Sequence, residues 1–193
     1  MAAEVVAPAP SPATSSSSSF SDHDMAVVRA QSQSVLAIKD AITHDNSSCL
    51  ASWTTTTNTS SSNTTSDVAA PPSYCSFNGT AGWFGLLCDD SFHITSLNLS
   101  SCNLSGSISP SLALLPSLSL LDLSHNNFSG PMPSSLGNLT QLQTLYLSYN
   151  TFSGLIPSSL GNLAKLRTLH LDSNDFSGLI PSSLGNLAKL RTL

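Results

Sequence analysis

The sequence has little charge. Lysine and arginine together number 6, aspartate and glutamate number 11, and charged residues make up 9% of the 193-residue chain. Because binding to phosphates requires a dense positive surface, this low basic content argues against nucleic acid as a partner. Solubility must come from serine, threonine and asparagine, a composition that is also typical of glycosylated surfaces.

Long apolar runs are missing as well. Stretches such as 112–115 are far shorter than the roughly 20 residues that a membrane-spanning helix needs. A clear secretory signal is absent from 1–12, because Glu4, Pro8 and further prolines stand where an unbroken apolar stretch is required. We therefore expect no membrane span within this chain.

Three segments precede the regular part of the sequence. Residues 1–30 are rich in alanine, proline and serine and cannot bury enough apolar surface to offset their ordering entropy, which predicts a disordered leader. Val35, Ile38 and Ile42 share one helical face and predict a short amphipathic helix. Residues 54–66 are polar and without periodicity, which predicts a mobile, exposed loop.

The most informative feature of the sequence is a period of 24 residues. Leucines recur at this interval, at positions 97, 121, 145, 169 and 193. Residues 152–169 and 176–193 share the identical sequence FSGLIPSSLGNLAKLRTL, which chance does not produce. Residues 118–128 fit the template L-x-x-L-x-L-x-x-N-x-L, with phenylalanine in the last place. The period therefore predicts an array of repeats over 94–193.

The pattern inside each repeat predicts its local structure. Alternating leucines predict a short strand with one buried face, and strands that recur once per repeat predict a parallel ladder. Asn126, Asn150 and Asn174 form one column, where inward amides can bond the backbone of the turning chain. Cys102 occupies the same place in the first repeat, and we expect it to be a buried thiol of this structural ladder.

The second half of each repeat combines turn residues with apolar anchors. Phe128, Phe152 and Phe176 form a second column that should stack from coil to coil. The residues that follow, such as 129–142, have leucines at three-residue spacing and predict tight turns and 3₁₀ helices on the convex side. No single coil can bury its leucines alone, so the array needs a cap at each end.

Specific motifs resemble those of a known family. The motif S-G-x-I-P-x-x-L-G-N-L, at 153–163 and 177–187, resembles the consensus of plant-type leucine-rich-repeat proteins. The segments 35–39, 50–53 and 83–88 resemble the N-terminal cap of the same family. The resemblance implies an α/β solenoid. This solenoid is a right-handed superhelix with short parallel strands on the concave face and 3₁₀ and turn segments on the convex face.

The resemblance also implies the domain order and one disulfide. A helical cap would occupy 31–93, and the repeats of 94–193 would be truncated at the C-terminus. The cap cysteines of this family pair, which assigns a disulfide to Cys75 and Cys88, although 76–82 makes their spacing longer than usual. Such a bond would stabilise the cap by about 3 kcal/mol in an oxidising compartment. The alternative is two unpaired core thiols, and the partner of Cys49 stays open.

Members of this family include receptor-like kinases, receptor-like proteins and polygalacturonase-inhibiting proteins. The resemblance implies a non-enzymatic recognition scaffold, extracellular or at the cell surface, that forms the N-terminal part of a receptor-like kinase or receptor-like protein. Its expected partner is a protein or peptide ligand, with a co-receptor as a further partner. The alternatives are a soluble inhibitor-like or wall-associated protein, or a non-functional gene fragment.

The outward positions of the strands form the laterally extended concave surface, which is usually the binding face of a solenoid. Tyr146 and Tyr149 suit contact anchors, because a tyrosine offers large apolar area at low entropic cost. The candidate partner-binding residues are Asp122, Ser124, His125, Tyr146, Ser148, Tyr149, His170, Asp172 and Ser173. The alternative is that these are merely tolerated surface residues.

An enzyme is a second class of hypothesis, because the histidines and aspartates of this surface could lie close together. We disfavour it, since nothing in the sequence orients these groups and an open face does not exclude water. No metal or cofactor is expected. The last coil, ending at 191–193, lacks a polar closing unit and predicts association through that end.

Acceptor triplets for N-linked sugars provide a further indication of an extracellular location. Asn58 and Asn63, in the polar loop, are the best candidates. A glycan on Asn98 would obstruct the strand face, and Asn103 carries a further triplet. The alternative at each position is an unmodified surface asparagine. The remaining candidates are Asn46, Asn78, Asn127 and Asn138.

Overall fold

The computed structural model describes residues 22–53, 74–75 and 82–193. The predicted leader before residue 22 and the predicted loop 54–66 lie outside these residues. The strands of the described part are numbered in chain order. They are β1 (Ile42–Asp45), β2 (Leu86–Cys88), β3 (Ile94–Asn98), β4 (Leu104–Gly106), β5 (Leu120–Asp122), β6 (Asn127–Pro131), β7 (Thr144–Tyr146), β8 (Thr151–Leu155), β9 (Thr168–His170) and β10 (Asp175–Ser177).

The helix of the cap, α1 (Asp22–Asp40), begins earlier than predicted. The assignment of 1–30 to a disordered leader is therefore wrong at its C-terminal end. Val28 packs against the core from this segment. Gln31, just after it, is buried, and its side-chain oxygen accepts a 2.7 Å hydrogen bond from the Ile94 N–H. Ile42, predicted on the same helical face, lies instead in β1.

The first sheet is made by the leucine strands in the order β2–β3–β5–β7–β9. β2 is antiparallel to β3, whereas the later strands are parallel. Residues one period apart pair directly, as Leu97 with Leu121 and Leu121 with Leu145. These leucines are fully buried, because side chains alternate between the two faces of a strand. The predicted solenoid is confirmed.

A second sheet was not predicted. Its strands have the order β1–β4–β6–β8–β10, and β1 joins β4 in antiparallel orientation. The residues after the phenylalanines predict only tight turns, because serine, glycine and proline dominate 129–133. The glycines do turn the chain, with Gly130 at φ 79°, but the adjoining residues still pair with the next coil. Such strands bury few side chains on one face and show no apolar alternation.

The convex side carries four 3₁₀ helices in the described residues, as predicted. They span Pro110–Leu114, Ser134–Asn138, Ser158–Asn162 and Ser182–Asn186. A serine hydroxyl links each of the later helices to the one before it, as when the Ser159 hydroxyl donates to the Ser134 carbonyl at 2.6 Å.

Two side-chain columns fill the interior between the sheets. Phe128 stacks on Phe152 with ring centroids 6.2 Å apart, and Phe152 stacks on Phe176 at 6.3 Å. The Asn150 side-chain oxygen accepts a hydrogen bond from the Phe128 N–H at 2.9 Å, and its amide NH₂ donates to the Leu123 carbonyl at 2.9 Å. Each inward amide therefore bonds two successive coils.

The other amides of the column make equivalent bonds. Asn126 accepts from the Leu104 N–H at 2.9 Å and donates to the Leu99 carbonyl at 2.7 Å. Asn174 accepts from the Phe152 N–H at 3.1 Å and donates to the Leu147 carbonyl at 3.0 Å. The turning backbone of each coil is thus satisfied by an asparagine of its neighbour.

The cap packs around aromatic side chains. The rings of Trp53 and Trp83 stack with centroids 5.8 Å apart, and Tyr74 lies 6.0 Å from Trp83. Burial raises the pKa of Tyr74 to about 12. The Cys75–Cys88 disulfide, which the family resemblance implied, is present beside this cluster.

A second disulfide joins Cys49 to Cys102, with Cα atoms 5.9 Å apart. The prediction that Cys102 is a buried thiol is therefore wrong, although the residue is buried and occupies the asparagine column as expected. The antiparallel pairing of β1 with β4 carries Cys49 to the first coil. No local pattern in the sequence indicates this pairing.

Candidate functional site

The first sheet presents its outward side chains on the concave face of the solenoid. Strand pairing places Asp122 beside Tyr146 and Tyr146 beside His170, so these three predicted residues form one row across the coils. They are half-buried, while the leucines that flank Asp122 and Tyr146 are buried. The same row begins with Asn98 in β3, which pairs with Asp122.

A second row lies just beyond the ends of the strands and contains His125, Tyr149 and Ser173. Each has a positive φ, of 54°, 55° and 55° respectively, which is uncommon for residues other than glycine. Backbone bonds between coils hold these conformations, as when the His125 N–H donates to the Ser148 carbonyl at 3.0 Å. Tyr149 is 53% exposed and is therefore available to a partner.

The aromatic side chains of the two rows pair between adjacent coils. The ring of His125 stacks on that of Tyr149, with centroids 4.4 Å apart and planes at 11°. The ring of Tyr146 meets that of His170 edge-on, with centroids 4.9 Å apart. We call these two pairs the aromatic patch, and the stacking of the coils fixes the geometry within each pair.

Two of the predicted contact residues do not belong to this surface. Ser124 and Ser148 are buried, with exposed fractions of 7% and 6%, so their assignment to the contact face is wrong. The Ser124 hydroxyl donates to the Asp122 carboxylate at 2.6 Å, and the Ser124 N–H donates to the same oxygen at 3.0 Å. Asp172 holds the same place one coil later and is exposed. Ser173, which belongs to the second row, is exposed as well.

The strand pairing reveals another row that the sequence analysis did not single out. Ser96 pairs with Leu120, Leu120 with Thr144, and Thr144 with Thr168. Each directly precedes a buried leucine and therefore faces the same side as Tyr146. The 24-residue period, counted one position before each leucine, could have identified this row.

The arrangement differs from that of a catalytic site. The imidazoles of His125 and His170 pack on tyrosine rings. The Asp122 carboxylate accepts hydrogen bonds from Ser124. The part of the chain that the structure describes contains no cluster of histidine, cysteine and carboxylate side chains able to hold a metal ion. Shape and aromatic area suit this face to binding a partner.

The sugar candidates are placed as follows. Asn46, Asn127 and Asn138 are exposed, as are Asn98 and Asn103. The candidates Asn58, Asn63 and Asn78 lie outside the described residues. Among the helices that are described, none combines the length and the apolar character needed to cross a bilayer.

Comparison with known proteins gives a consistent result. The profile of the family described as leucine rich repeat matches residues 92–152, 116–176 and 140–193. A search of curated proteins found no match.

Several solved structures resemble the chain. A chain of the BIR3–SERK2 complex from Arabidopsis thaliana is 34% identical with a TM-score of 0.66, over 83% of this chain and 77% of that one. PEPR1–AtPEP1 is 34% identical with a TM-score of 0.67, over 84% and 20% of the two chains.

The extracellular domain of the plant membrane receptor kinase GASSHO1/SCHENGEN3 from Arabidopsis thaliana, solved in complex with CASPARIAN STRIP INTEGRITY FACTOR 2, is also 34% identical. Its TM-score is 0.66, over 86% of this chain and 17% of the receptor chain. The chain thus spans about a fifth of these larger receptor chains and about three quarters of the BIR3–SERK2 chain.

Proposed function

The chain belongs to the leucine-rich-repeat family, and from this membership we propose that it is a non-enzymatic scaffold that recognises a protein or peptide outside the cell. In its finer form, the proposal makes the chain the N-terminal part of a receptor-like kinase or receptor-like protein. Its similarity to plant receptor ectodomains supports this assignment.

The observation that carries the proposal is the aromatic patch on the concave face. Tyr146, Tyr149, His125 and His170 stand on a surface whose backbone is fixed by bonds between coils. Rigid aromatic side chains lose little conformational entropy on binding and are enriched at the centres of interfaces. The patch therefore has the properties of a contact anchor.

An extracellular location is part of the proposal. Two disulfides are present in the described residues, and such bonds persist in oxidising compartments. We expect the chain secreted from plant cells to carry sugars at exposed acceptor triplets such as Asn127 and Asn138. Treatment with a glycosidase should lower its mass, and an unchanged mass would contradict this part of the proposal.

Panning a displayed library of short random peptides against the immobilised chain tests recognition by the concave face. Peptides selected on the wild type should bind a Tyr149→Ala variant at least about tenfold more weakly, because the substitution removes an exposed anchor. Leu155→Ala is the matched control, since Leu155 is 66% exposed but lies on the second sheet. Equal binding to the wild type and to both variants would refute the proposal.

A further inference from the structure

A cavity opens where the cap meets the concave face. It has a volume of about 740 Å³ and lies between the cap segment 82–87 and strand β3. We call it the cap cavity, and its lining includes Phe84, Leu87, Ser96, Asn98 and Leu120. Its size falls in the range of ligand pockets, about 300–1,000 Å³.

Apolar side chains are exposed at the rim of the cap cavity. Phe84 is 50% exposed and Leu87 is 55% exposed. Leu120 adds a half-buried apolar side chain from β5 in the second coil. Exposed apolar side chains that cluster in a concavity mark a binding surface more often than scattered ones do.

The cavity is held in shape by the cap. The Phe84 N–H donates to the Ser52 hydroxyl at 2.8 Å, and the indole N–H of Trp53 donates to the Phe84 carbonyl at 2.9 Å. At Gly85, φ is 78° and a Cβ atom would lie 2.1 Å from the Asn98 carbonyl oxygen, so only glycine allows this close approach. The pocket is therefore formed before any ligand binds.

Among the residues that the structure describes, those lining the cap cavity carry no charge, and their polar side chains are the serine hydroxyls and the Asn98 amide. A charged group that entered would lose hydration without gaining an ionic partner, which is unfavourable. An apolar group would instead bury its surface against Phe84, Leu87 and Leu120. The lining thus selects an uncharged, apolar occupant.

The cap cavity is continuous with the aromatic patch. Leu87 in β2 pairs with Ser96, and the same row continues through Leu120 to Thr144 on β7, the strand of Tyr146. Three strand spacings separate β2 from β7, or about 14 Å. An extended peptide covers this distance in about four residues.

Building on the proposed function, we propose that the cap cavity is an anchor pocket for one apolar side chain of a peptide ligand. The peptide runs in extended form across the strands, with a second contact on the aromatic patch about four residues away. The recognition face therefore reaches from the cap to β9 rather than being confined to the repeats.

Two variants test the pocket with the peptides selected on the wild-type chain. Leu87→Ser removes apolar surface from the rim, and Ser96→Phe fills the cavity without removing any. Leu114→Ser is the matched control, because Leu114 is 64% exposed on the convex side. Each altered side chain is at least partly exposed, and thermal melting establishes that the variants are folded before binding is measured.

The proposal predicts that Leu87→Ser and Ser96→Phe each weaken peptide binding at least about tenfold, while Leu114→Ser leaves it unchanged. Replacing the apolar anchor residue of the peptide by alanine should weaken its binding to the wild-type chain. The same replacement should cause no further loss of binding to the Leu87→Ser variant, because that variant already lacks the contact.

If both Leu87→Ser and Ser96→Phe bind the selected peptides with wild-type affinity, the proposed pocket is refuted. If Tyr149→Ala still abolished peptide binding in that case, the proposed function would stand without the pocket. If Tyr149→Ala also left binding unchanged, the pocket and the proposed function would both be refuted. The wild-type chain could instead form a dimer that the Leu87→Ser substitution dissociates. That result would overturn the peptide pocket, because the occupant of the cavity would then be a second copy of the chain.

Discussion

At the scale of single residues, the asparagine column supplies side-chain hydrogen bonds to the backbone inside the turns. Asn150 is 8% exposed and bonds the Phe128 N–H and the carbonyls of Leu123, Leu147 and Ser148. Water cannot replace these bonds readily at a buried site. The Asn150 amide therefore stabilises the fold by giving buried backbone groups a hydrogen-bond partner.

Asn150→Ala should lower the free energy of unfolding by at least about 2 kcal/mol, because buried backbone groups lose their partner. Urea denaturation followed by circular dichroism measures this loss. Asn127→Ala is the control: Asn127 is exposed and donates to the Ser105 hydroxyl at 3.2 Å, so its loss should stay below about 0.5 kcal/mol. Similar losses in the two variants would contradict the role of the column.

The sequence predicted this column but not the burial of every contact candidate. A polar residue that recurs at a fixed period in an apolar array must bond the backbone, so Asn126, Asn150 and Asn174 could be placed inside. Ser124 and Ser148 recur at the same period, yet a serine is compatible with either side of the chain. The period alone does not specify on which side they lie, and the structure buries both.

At the scale of elements, the 3₁₀ helices stack so closely that glycine is required between them. A Cβ atom on Gly161 would lie 2.3 Å from the Ser183 carbonyl oxygen and 2.7 Å from its Cβ atom. Gly185 holds the equivalent position one coil later, and a Cβ atom there would have no neighbour within 4 Å. The two glycines form a matched pair in identical sequence.

Gly161→Ala should destabilise the protein by about 2 kcal/mol, because the helices would have to separate. Gly185→Ala should be neutral within about 0.5 kcal/mol or slightly stabilising, since it restricts the unfolded chain without a clash. Thermal denaturation of both variants makes the comparison. An equal effect at the two positions would show that coil contact does not decide the outcome.

The Cys49–Cys102 disulfide ties the cap to the first coil. It closes a loop of 53 residues, whereas the Cys75–Cys88 bond closes one of 13 within the cap. In the chain-entropy model, loops of these lengths stabilise by about 4 and about 3 kcal/mol.

Replacing Cys49 and Cys102 together by alanine should therefore cost about 4 kcal/mol, more than replacing the Cys75 and Cys88 pair. Unfolding by urea, with the fluorescence of Trp53 and Trp83 reporting on the cap, measures both losses. Peptide mapping without reduction is an independent check. A free thiol at Cys49 in the folded protein would contradict the assignment.

Elements were predictable from the sequence where a side-chain period marked them. The leucine strands and the 3₁₀ helices repeat every 24 residues, and the structure has both. The second sheet and the Cys49–Cys102 bond depend on backbone pairing and on a contact distant in sequence, and neither leaves a periodic apolar signal. The early start of α1 does leave one in Val28, which shares a helical face with Val35 and packs against the core.

At the scale of the whole molecule, the last coil exposes apolar surface. Leu179 is 92% exposed, Ile180 70% and Leu193 71%. The last two line a cavity of about 390 Å³ together with Leu184 and Ile156. A surface of this kind favours association with another apolar face.

We expect the exposed side chains of Leu179 and Ile180 to mediate association of the isolated chain at high concentration. Sedimentation should show a mass that rises with concentration in the wild type and stays monomeric when Leu179 and Ile180 are both replaced by serine. Leu114→Ser, on the convex side, should associate like the wild type. Association that survives the double substitution would place the contact elsewhere.

The account as a whole depends on the concave face being the surface that a partner occupies. A crystal structure of the chain bound to a peptide selected on it tests this most directly. We predict that the peptide crosses the first sheet in contact with Tyr146 and Tyr149 and reaches the cap cavity beside Leu87. A peptide bound along the second sheet, over β6, β8 and β10, would contradict the account.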